Sequence, residues 1–120
     1  MPDGTITIHD NGTGFTGRPP RTVHYAIDEQ AHTATLLDSV TDPDIPSSPC
    51  CGSARRSPDG AWTMNWGGNP VTTEFDAAGN RTFRLTITSG GFSYRGIPVP
   101  DGLVSASGLR AGMDAQYPRP

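Results

Sequence analysis

The chain contains 120 residues, of which 33% are hydrophobic, and its formal net charge at pH 7 is −3. This length allows one domain with a modest core, and the negative charge argues against a general nucleic-acid or anionic-membrane surface. No run approaches the ~18 apolar residues of a membrane span, and residues 1–4 lack the charged-then-apolar order of a signal peptide. We therefore expect no nucleic-acid partner, no membrane span and no export signal in this chain.

Turn residues and alternating apolar residues predict short β-strands along most of the chain. The 15 glycines and 12 prolines fall between segments that alternate with a period of two, which is typical of strands joined by turns. The first part of the chain predicts three strands, at 4–9, 22–28 and 33–40. An Asp-Asn-Gly turn at 10–12 ends the first strand, and an acidic, proline-rich connection at 41–49 follows the third.

The second part of the chain predicts four strands, at 50–56, 61–66, 71–76 and 81–87. The 50–56 strand begins with small residues on both faces, so neighbouring backbones must approach it closely. A further strand is predicted at 93–99. Residues 105–115 predict one short helix, with Ser105 or Ser107 as its N-cap.

The second group of strands repeats the first, which is the most informative feature of the sequence. Pro-Asp-Gly precedes a strand at 2–4 and again at 58–60, and an apolar strand ends at Asp28 and again at Asp76. The complete unit, at 50–87, has four strands and a length near the ~40–50 residues of a propeller blade.

This repeat predicts an all-β fold built from about two antiparallel β-propeller blades, with a short C-terminal helix. Residues 1–42 would form an incomplete blade, 49–88 a complete blade, and 89–120 a closing strand and tail. Two blades cannot close a ring, and blade edges are safe only when a neighbour covers them. We therefore expect either a fragment of a larger propeller, beginning inside a blade, or a subunit that self-associates through open blade edges.

The two cysteines, Cys50 and Cys51, are adjacent in the sequence. Alternation along a strand would place them on opposite faces, so we predict two separately buried free thiols; the alternative is a strained vicinal disulfide. All nine basic residues are Arg. This indicates either a genomic composition bias or a site for a tetrahedral oxyanion, which the planar guanidinium binds better than Lys does.

Five motifs occur in order along nearly the whole chain: Asp-Gly-Thr-Ile-Thr-Ile followed by Asp-Asn-Gly at 3–12, Cys-Gly-Ser-Ala-Arg-Arg at 51–56, Asn-Trp-Gly-Gly at 65–68, Phe-Ser-Tyr-Arg at 92–95 and Leu-Arg-Ala-Gly-Met-Asp-Ala at 109–115. Together they resemble the bacterial arylsulfotransferases, in particular the C-terminal part of the branch common in actinobacteria. The resemblance implies a six-bladed β-propeller whose catalytic residues line the central channel. It also implies transfer of a sulfuryl group from a phenolic sulfate donor to a phenol acceptor through a sulfated histidine, without a nucleotide cofactor, in a family that is often exported.

The resemblance assigns three candidate catalytic residues to this chain. The family's His-any-Asn pair matches His9 and Asn11, and the Arg of the same cluster falls near Arg21. The transferring histidine would lie just upstream of the Ser-Pro that precedes the 50–56 strand, but residues 42–49 contain no His. Since the group in flight carries charge over three oxygens, catalysis needs positioned donors and a neutral imidazole nucleophile. We therefore expect the isolated chain to be inactive.

Each of these three residues also has a structural interpretation. His9 ends a strand beside a turn, where a solvated or turn-bonding histidine is common, and Asn11 is a usual choice for left-handed turn geometry. Arg21 is equally consistent with loop surface. A non-catalytic, truncated β module that only associates with other chains is therefore the alternative to an arylsulfotransferase fragment.

The remaining aromatic and histidine residues are predicted to be structural. Trp62 and Trp66 share a strand face and are expected to pack as core between blades. His24 and His32 have no partner pattern, and the three histidines lack zinc-ligand spacing, so no metal site is expected. Of the adjacent residues at 55–56, both Arg, one is expected to face the channel and the other to pair with an acid.

Overall fold

The computed structural model describes residues 3–13, 17–100 and 102–118. Within these ranges the chain forms two antiparallel sheets and one short helix. The elements are β1 (Thr5–Asp10), β2 (Arg21–Asp28), β3 (Thr33–Val40), β4 (Ser53–Arg56), β5 (Trp62–Asn65), β6 (Val71–Phe75), β7 (Arg81–Thr86) and α1 (Ala106–Gln116).

Both sheets are meanders in chain order, as the sequence predicts. The first sheet has the order β1-β2-β3 and the second the order β4-β5-β6-β7, and every pairing between neighbours is antiparallel. In the first sheet, the register pairs Thr5 with Ala26 at one end of β1 and Asp10 with Arg21 at the other. The predicted mostly-β fold with a C-terminal helix is confirmed at this level.

The repeated Pro-Asp-Gly turns are built in the same way in the two sheets. The Oδ1 atom of Asp3 accepts a hydrogen bond of 3.1 Å from the backbone N–H of Thr5. Asp59 does the same for the N–H of Ala61, at 3.2 Å. A carboxylate that accepts from the backbone two residues ahead fixes a tight turn, so the repeated sequence corresponds to a repeated local structure.

The aspartates at the end of the second strand of one sheet and of the third strand of the other, Asp28 and Asp76, make the same kind of turn bond. Asp28 Oδ1 accepts from the N–H of Gln30 at 3.0 Å, and Asp76 Oδ1 accepts from the N–H of Ala78 at 3.0 Å. Each carboxylate closes the turn that leads into the last strand of its sheet. The sequence therefore predicts both turns from the aspartate that begins each of them.

The apolar core lies on one face of the second sheet. Its buried residues are Ile45, Trp62, Met64, Trp66, Val71 and Phe75. Trp62, Met64 and Trp66 are two residues apart, so the alternation of β5 and its extension brings them to one face. The indole N–H of Trp66 donates to Thr73 Oγ1 at 2.8 Å, which satisfies its polar atom inside the core. The prediction that both tryptophans form core is confirmed.

Side chains of the first sheet contact the second sheet and its apolar core. These contacts include Thr7 with the Ala54 carbonyl at 3.2 Å, His9 with the Trp66 ring at 5.6 Å between centroids, and His24 with the Trp62 ring at 6.4 Å. Arg56 Nε reaches Asp38 Oδ2 at 3.2 Å, whereas Arg55 is exposed. The expectation that one arginine of this pair binds an acid is confirmed.

The predicted small-residue strand at 50–56 begins later than expected. Cys51 and Gly52 have φ values of 61° and 105°, which place them in the left-handed region that a β-strand does not use. The strand therefore starts at Ser53, and the alternation argument does not apply to the cysteines. Cys50 is exposed and Cys51 half-buried, with their Sγ atoms 3.0 Å apart. Both are free thiols, but the prediction that they are buried apart is wrong.

The predicted strand at 93–99 is also wrong, because this segment has no strand ladder. It lies beside the start of β4, where the N–H of Gly52 donates to the Tyr94 carbonyl at 3.1 Å. The next bonds use the Ser53 hydroxyl, which both donates to the carbonyl and accepts from the N–H of Gly96 at 3.0 Å. A side chain thus replaces the backbone partner, and Pro98 can donate no hydrogen bond that would continue a ladder.

Helix α1 confirms the predicted cap. Ser105 is the N-cap, and its hydroxyl accepts from the N–H of Gly108 at 3.0 Å. No residue of the helix is buried. Among the described residues there is no helix with both the length and the apolar character needed to cross a membrane.

Candidate functional site

The three candidate residues lie together where β1 ends and β2 begins. His9 and Asp10 are the last residues of β1, Asn11 follows directly, and Arg21 opens β2 opposite Asp10. In an antiparallel pair, the end of the first strand lies beside the start of the second. Asp10 and Arg21 are therefore neighbours at this end of the sheet, although a long connection separates them in the sequence.

Two successive hydrogen bonds join this end of the first sheet to the segment just before β4. His9 Nε2 lies 2.9 Å from Asn11 Oδ1, and Asn11 Nδ2 donates to the Cys51 carbonyl at 2.9 Å. A carboxamide oxygen only accepts, so Nε2 must carry the proton. The neutral imidazole then has its lone pair on Nδ1, and the Asn11 amide is held in one orientation from both ends.

His9 is half-buried against the edge of Trp66. Burial lowers the pKa of His9 below its ordinary value of 6.5, so the imidazole is neutral at pH 7. A Cβ on Gly52 would lie 2.4 Å from Cδ2 of the ring, which explains why only glycine fits there. Among the described residues, Nδ1 has no hydrogen-bond partner and is buried. His9 therefore supports Asn11 through Nε2, while burial shields Nδ1, the atom of His9 that could act as a nucleophile.

Asp10 holds two arginines beside Asn11. Arg18 binds it through both terminal nitrogens, at 2.8 and 2.9 Å, and Arg21 Nε binds it at 3.1 Å. The Arg18 guanidinium, followed by the backbone N–H of Gly12 and then by Arg21, keeps the pKa of Asp10 far below its usual range. One carboxylate between two guanidinium groups leaves a net positive charge, and bidentate geometry fixes the position of Arg18. Such an arrangement can attract and orient an oxyanion.

A cleft of ≈ 640 Å³ lies beside this cluster. Its walls come from three segments, at 11–13, 17–19 and 46–49. Asn11 and Arg18 belong to the first two of these segments, and the third is the Pro-Ser-Ser-Pro segment.

Arg18 is the residue of this cluster that sequence reasoning missed. The family pattern pointed to an arginine near Arg21, but Arg21 is not among the residues that line the cleft, and it supports Asp10 instead. The signal that could have identified Arg18 is its place in the Gly- and Pro-rich connection, from which a side chain can reach back to the Asp-Asn-Gly turn.

The other two histidines do not join the cluster. His24 is buried beside Trp62, 3.8 Å from Asp38. His32 lies in the exposed turn before β3, with a φ of 53°. Neither lines the cleft. Within the described part of the chain, no group of three or more His, Cys, Asp or Glu side chains could hold a metal ion.

Comparisons of this chain with models of known protein families, with curated proteins and with solved structures find no match.

Proposed function

We propose that this chain is the C-terminal part of an arylsulfotransferase-type β-propeller and supplies the wall that holds the sulfate group of a phenolic sulfate. The observation that carries the proposal is the cleft at the end of β1. Asn11 and the cationic Arg18 line this cleft together with residues 46–49, where the resemblance leads us to expect the transferring histidine nearby. The cleft therefore supports the proposal by bringing the cluster of Asn11 and Arg18 close to the segment in which the Ser-Pro lies.

The proposed chemistry proceeds in two displacements. In the first, an imidazole nitrogen forms a bond to sulfur while the bond from sulfur to the donor's phenolic oxygen breaks, and the departing phenolate takes up a proton. In the second, the hydroxyl oxygen of the acceptor phenol attacks the sulfur, loses its proton and frees the imidazole. Arg18 and the second Nδ2–H of Asn11 would donate to the sulfuryl oxygens, where charge is spread in the transition state.

In this scheme the residues of the chain divide into contacting and positioning groups. Arg18 and Asn11 would contact the sulfate, since both line the cleft. His9 and Asp10 would position them, because His9 Nε2–H fixes the Asn11 amide and Asp10 fixes the Arg18 fork. Arg21 adds positive charge from behind Asp10.

The nucleophile would be supplied outside this chain. His9 has its lone pair on the buried Nδ1, His24 is packed against Trp62, and His32 lies in an exposed turn away from the cleft. Displacement of a reacting group by ~1 Å can cost about a hundredfold in rate. The chain alone should therefore transfer no sulfuryl group.

An activity assay tests this proposal. Transfer from a chromogenic phenyl sulfate to phenol by the 120-residue protein should equal the no-protein control. Fusion to the missing N-terminal blades of an actinobacterial arylsulfotransferase should give turnover. In that fusion, Asn11→Ala should lower kcat more than it raises KM. Turnover by the chain alone would contradict the proposal, as would a fusion in which Asn11→Ala leaves kcat unchanged.

A second candidate function, a non-catalytic β module that associates with other chains, is favoured by the apolar surface of the outer strands. Leu36 and Leu37 on β3 are 46% and 50% exposed, and Phe83 and Leu85 on β7 are 47% and 50% exposed. Open sheet edges with such side chains promote association. Sedimentation would detect self-association, and a module of this kind predicts no binding of phenyl sulfate that depends on Arg18.

A further inference from the structure

The two adjacent thiols are held together by the backbone. Cys50 Sγ and Cys51 Sγ are 3.0 Å apart, closer than two sulfur atoms in ordinary non-bonded contact. The left-handed φ of Cys51, 61°, is costly for a residue with a Cβ. It turns the Cys51 side chain towards that of Cys50 instead of to the opposite face. Neither residue lies in a strand.

Hydrogen bonds on both sides keep this conformation in place. The Cys50 carbonyl accepts from the N–H of Gly68 at 2.8 Å, and the Cys51 carbonyl accepts from Asn11 Nδ2 at 2.9 Å. A Cβ on Gly67 would lie 2.0 Å from the Cys50 carbonyl oxygen, so the neighbouring loop fits closely against the pair. The thiols are therefore positioned by contacts that do not involve their sulfur atoms.

We propose that Cys50 and Cys51 form a reversible dithiol site that reacts with a low-molecular-weight disulfide to give a vicinal disulfide, and that this change alters the anchoring of Asn11. Neither the thiol chemistry nor the Asn11 contact depends on sulfuryl transfer.

The reaction proceeds by thiol–disulfide exchange. The Cys50 thiolate attacks one sulfur of the small disulfide, so a mixed disulfide forms and one small thiolate leaves. Cys51 Sγ then attacks Cys50 Sγ, passes its proton to the solvent and releases the second small thiol. Two protein thiols are oxidised by two electrons, and the small disulfide is reduced to two thiols.

The surroundings of the two thiols determine the order of attack. Cys50 is exposed, whereas Cys51 is half-buried and its S–H donates to Cys50 Sγ. This hydrogen bond raises the pKa of Cys51, which keeps Cys51 protonated. Cys50 is thus the first nucleophile and Cys51 the resolving thiol.

The link to the candidate site runs through one carbonyl. Asn11 is fixed by His9 on one side and by the Cys51 carbonyl on the other. A covalent ring that includes the Cys50–Cys51 peptide must change the torsions on both sides of that peptide, and the Cys51 carbonyl moves with them. The Asn11 amide should then lose or alter its second hydrogen bond.

Mass spectrometry of the oxidised protein tests the chemistry. The reduced 120-residue protein is treated with excess glutathione disulfide, quenched with acid and alkylated. The expected product has lost two hydrogens and carries neither glutathione nor an alkyl group. The Cys51→Ser variant should stop at a stable glutathione adduct on Cys50, because it lacks the resolving thiol. In urea, the yield of the vicinal disulfide relative to glutathione adducts should fall by about tenfold or more, since the preorganisation is lost.

Other products would overturn the proposal. Disulfide-linked dimers, accumulated glutathione adducts on the wild-type protein, or two free thiols under conditions that modify Cys51→Ser would each do so. The wild-type mass is decisive even if a variant fails to fold. The coupling has its own readout, the side-chain amide resonances of Asn11, with those of Asn80 as control because Asn80 binds Asp76 in a different turn. Oxidation should shift Asn11 and leave Asn80 in place, and an unmoved Asn11 would contradict the coupling.

Discussion

The two sheets share one arrangement of strands and turns, but they differ in what they bury. The second sheet carries almost the entire apolar core, whereas Val23 is the one buried apolar residue of the described strands β1, β2 and β3. The first sheet buries polar groups instead, among them Thr22 and His24. Turn chemistry and alternation can therefore specify a meander without giving it a core of its own.

This difference determines how the two sheets depend on each other. The histidines of the first sheet pack on the tryptophans of the second, His9 on Trp66 and His24 on Trp62. The candidate site belongs mainly to the first sheet, but the apolar core that supports it lies on the second sheet. Regions with few buried apolar contacts open first, and we expect the first sheet to open before the second.

The largest effect should follow removal of Trp66. Trp66→Ala deletes a fully buried ring and leaves Thr73 Oγ1 without its indole donor, at an expected cost of about 3–5 kcal/mol in the free energy of unfolding. Both sheets should be lost, as measured by far-UV circular dichroism during urea denaturation. Phe83→Ala, on the exposed outer strand, is the control and should cost less than about 1 kcal/mol. Equal costs for the two variants would contradict the place of Trp66 in the buried core.

A smaller, more local effect is expected at Asn11. Asn11→Ala removes the bonds to His9 and to the Cys51 carbonyl, at an expected cost of about 1–2 kcal/mol. Amide hydrogen exchange should speed up in β1 and β2 and remain unchanged in β5 and β6. Uniform acceleration in both sheets would mean that they open as one unit and would contradict earlier opening of the first sheet.

The smallest effect concerns pH. Because burial lowers the pKa of His9 below 6.5, the unfolded chain binds a proton more readily than the folded chain. The stability that His9 contributes is complete above pH 6.5 and is lost as the pH falls through that value towards the folded pKa. Chemical denaturation from pH 7 to 5 should show this loss, and His9→Gln, which keeps an N–H donor, should reduce it. The depressed pKa of Asp10 acts in the same direction but below its ordinary value of 3.8, so the two windows are separate. An unchanged pH dependence in His9→Gln would contradict the burial of His9.

Sequence reasoning predicted the features that depend on neighbouring residues. The aspartates at 3 and 59 fix matching turns, Ser105 caps the helix, and Trp62 with Trp66 follows strand alternation. Each of these is decided within a few residues of chain. Most of the strand pairing follows from them, because consecutive strands joined by short turns pair with each other, whereas β1 and β2 pair across a ten-residue connection.

The features that sequence reasoning missed depend on contacts distant in the chain. The left-handed conformation of Cys51 is accompanied by its carbonyl's bond to Asn11, forty residues away. The 93–99 segment bonds to the Ser53 hydroxyl instead of to a backbone ladder. Arg18 lies in the cluster because its side chain binds Asp10, eight residues earlier in the sequence.

The most direct test of the central claim is a titration of the isolated protein with phenyl sulfate, followed by the side-chain resonances of Asn11 and Arg18. The cleft should bind the anion weakly, with a Kd of about 1 mM, and shift both sets of resonances. Arg18→Gln should weaken binding about tenfold or more, since it removes the cation that lines the cleft. Arg55→Gln is the matched control, because Arg55 is exposed on β4 and outside the cleft, and it should bind like the wild type. No shift at Asn11, or equal weakening by the two substitutions, would contradict a sulfate site at the end of β1.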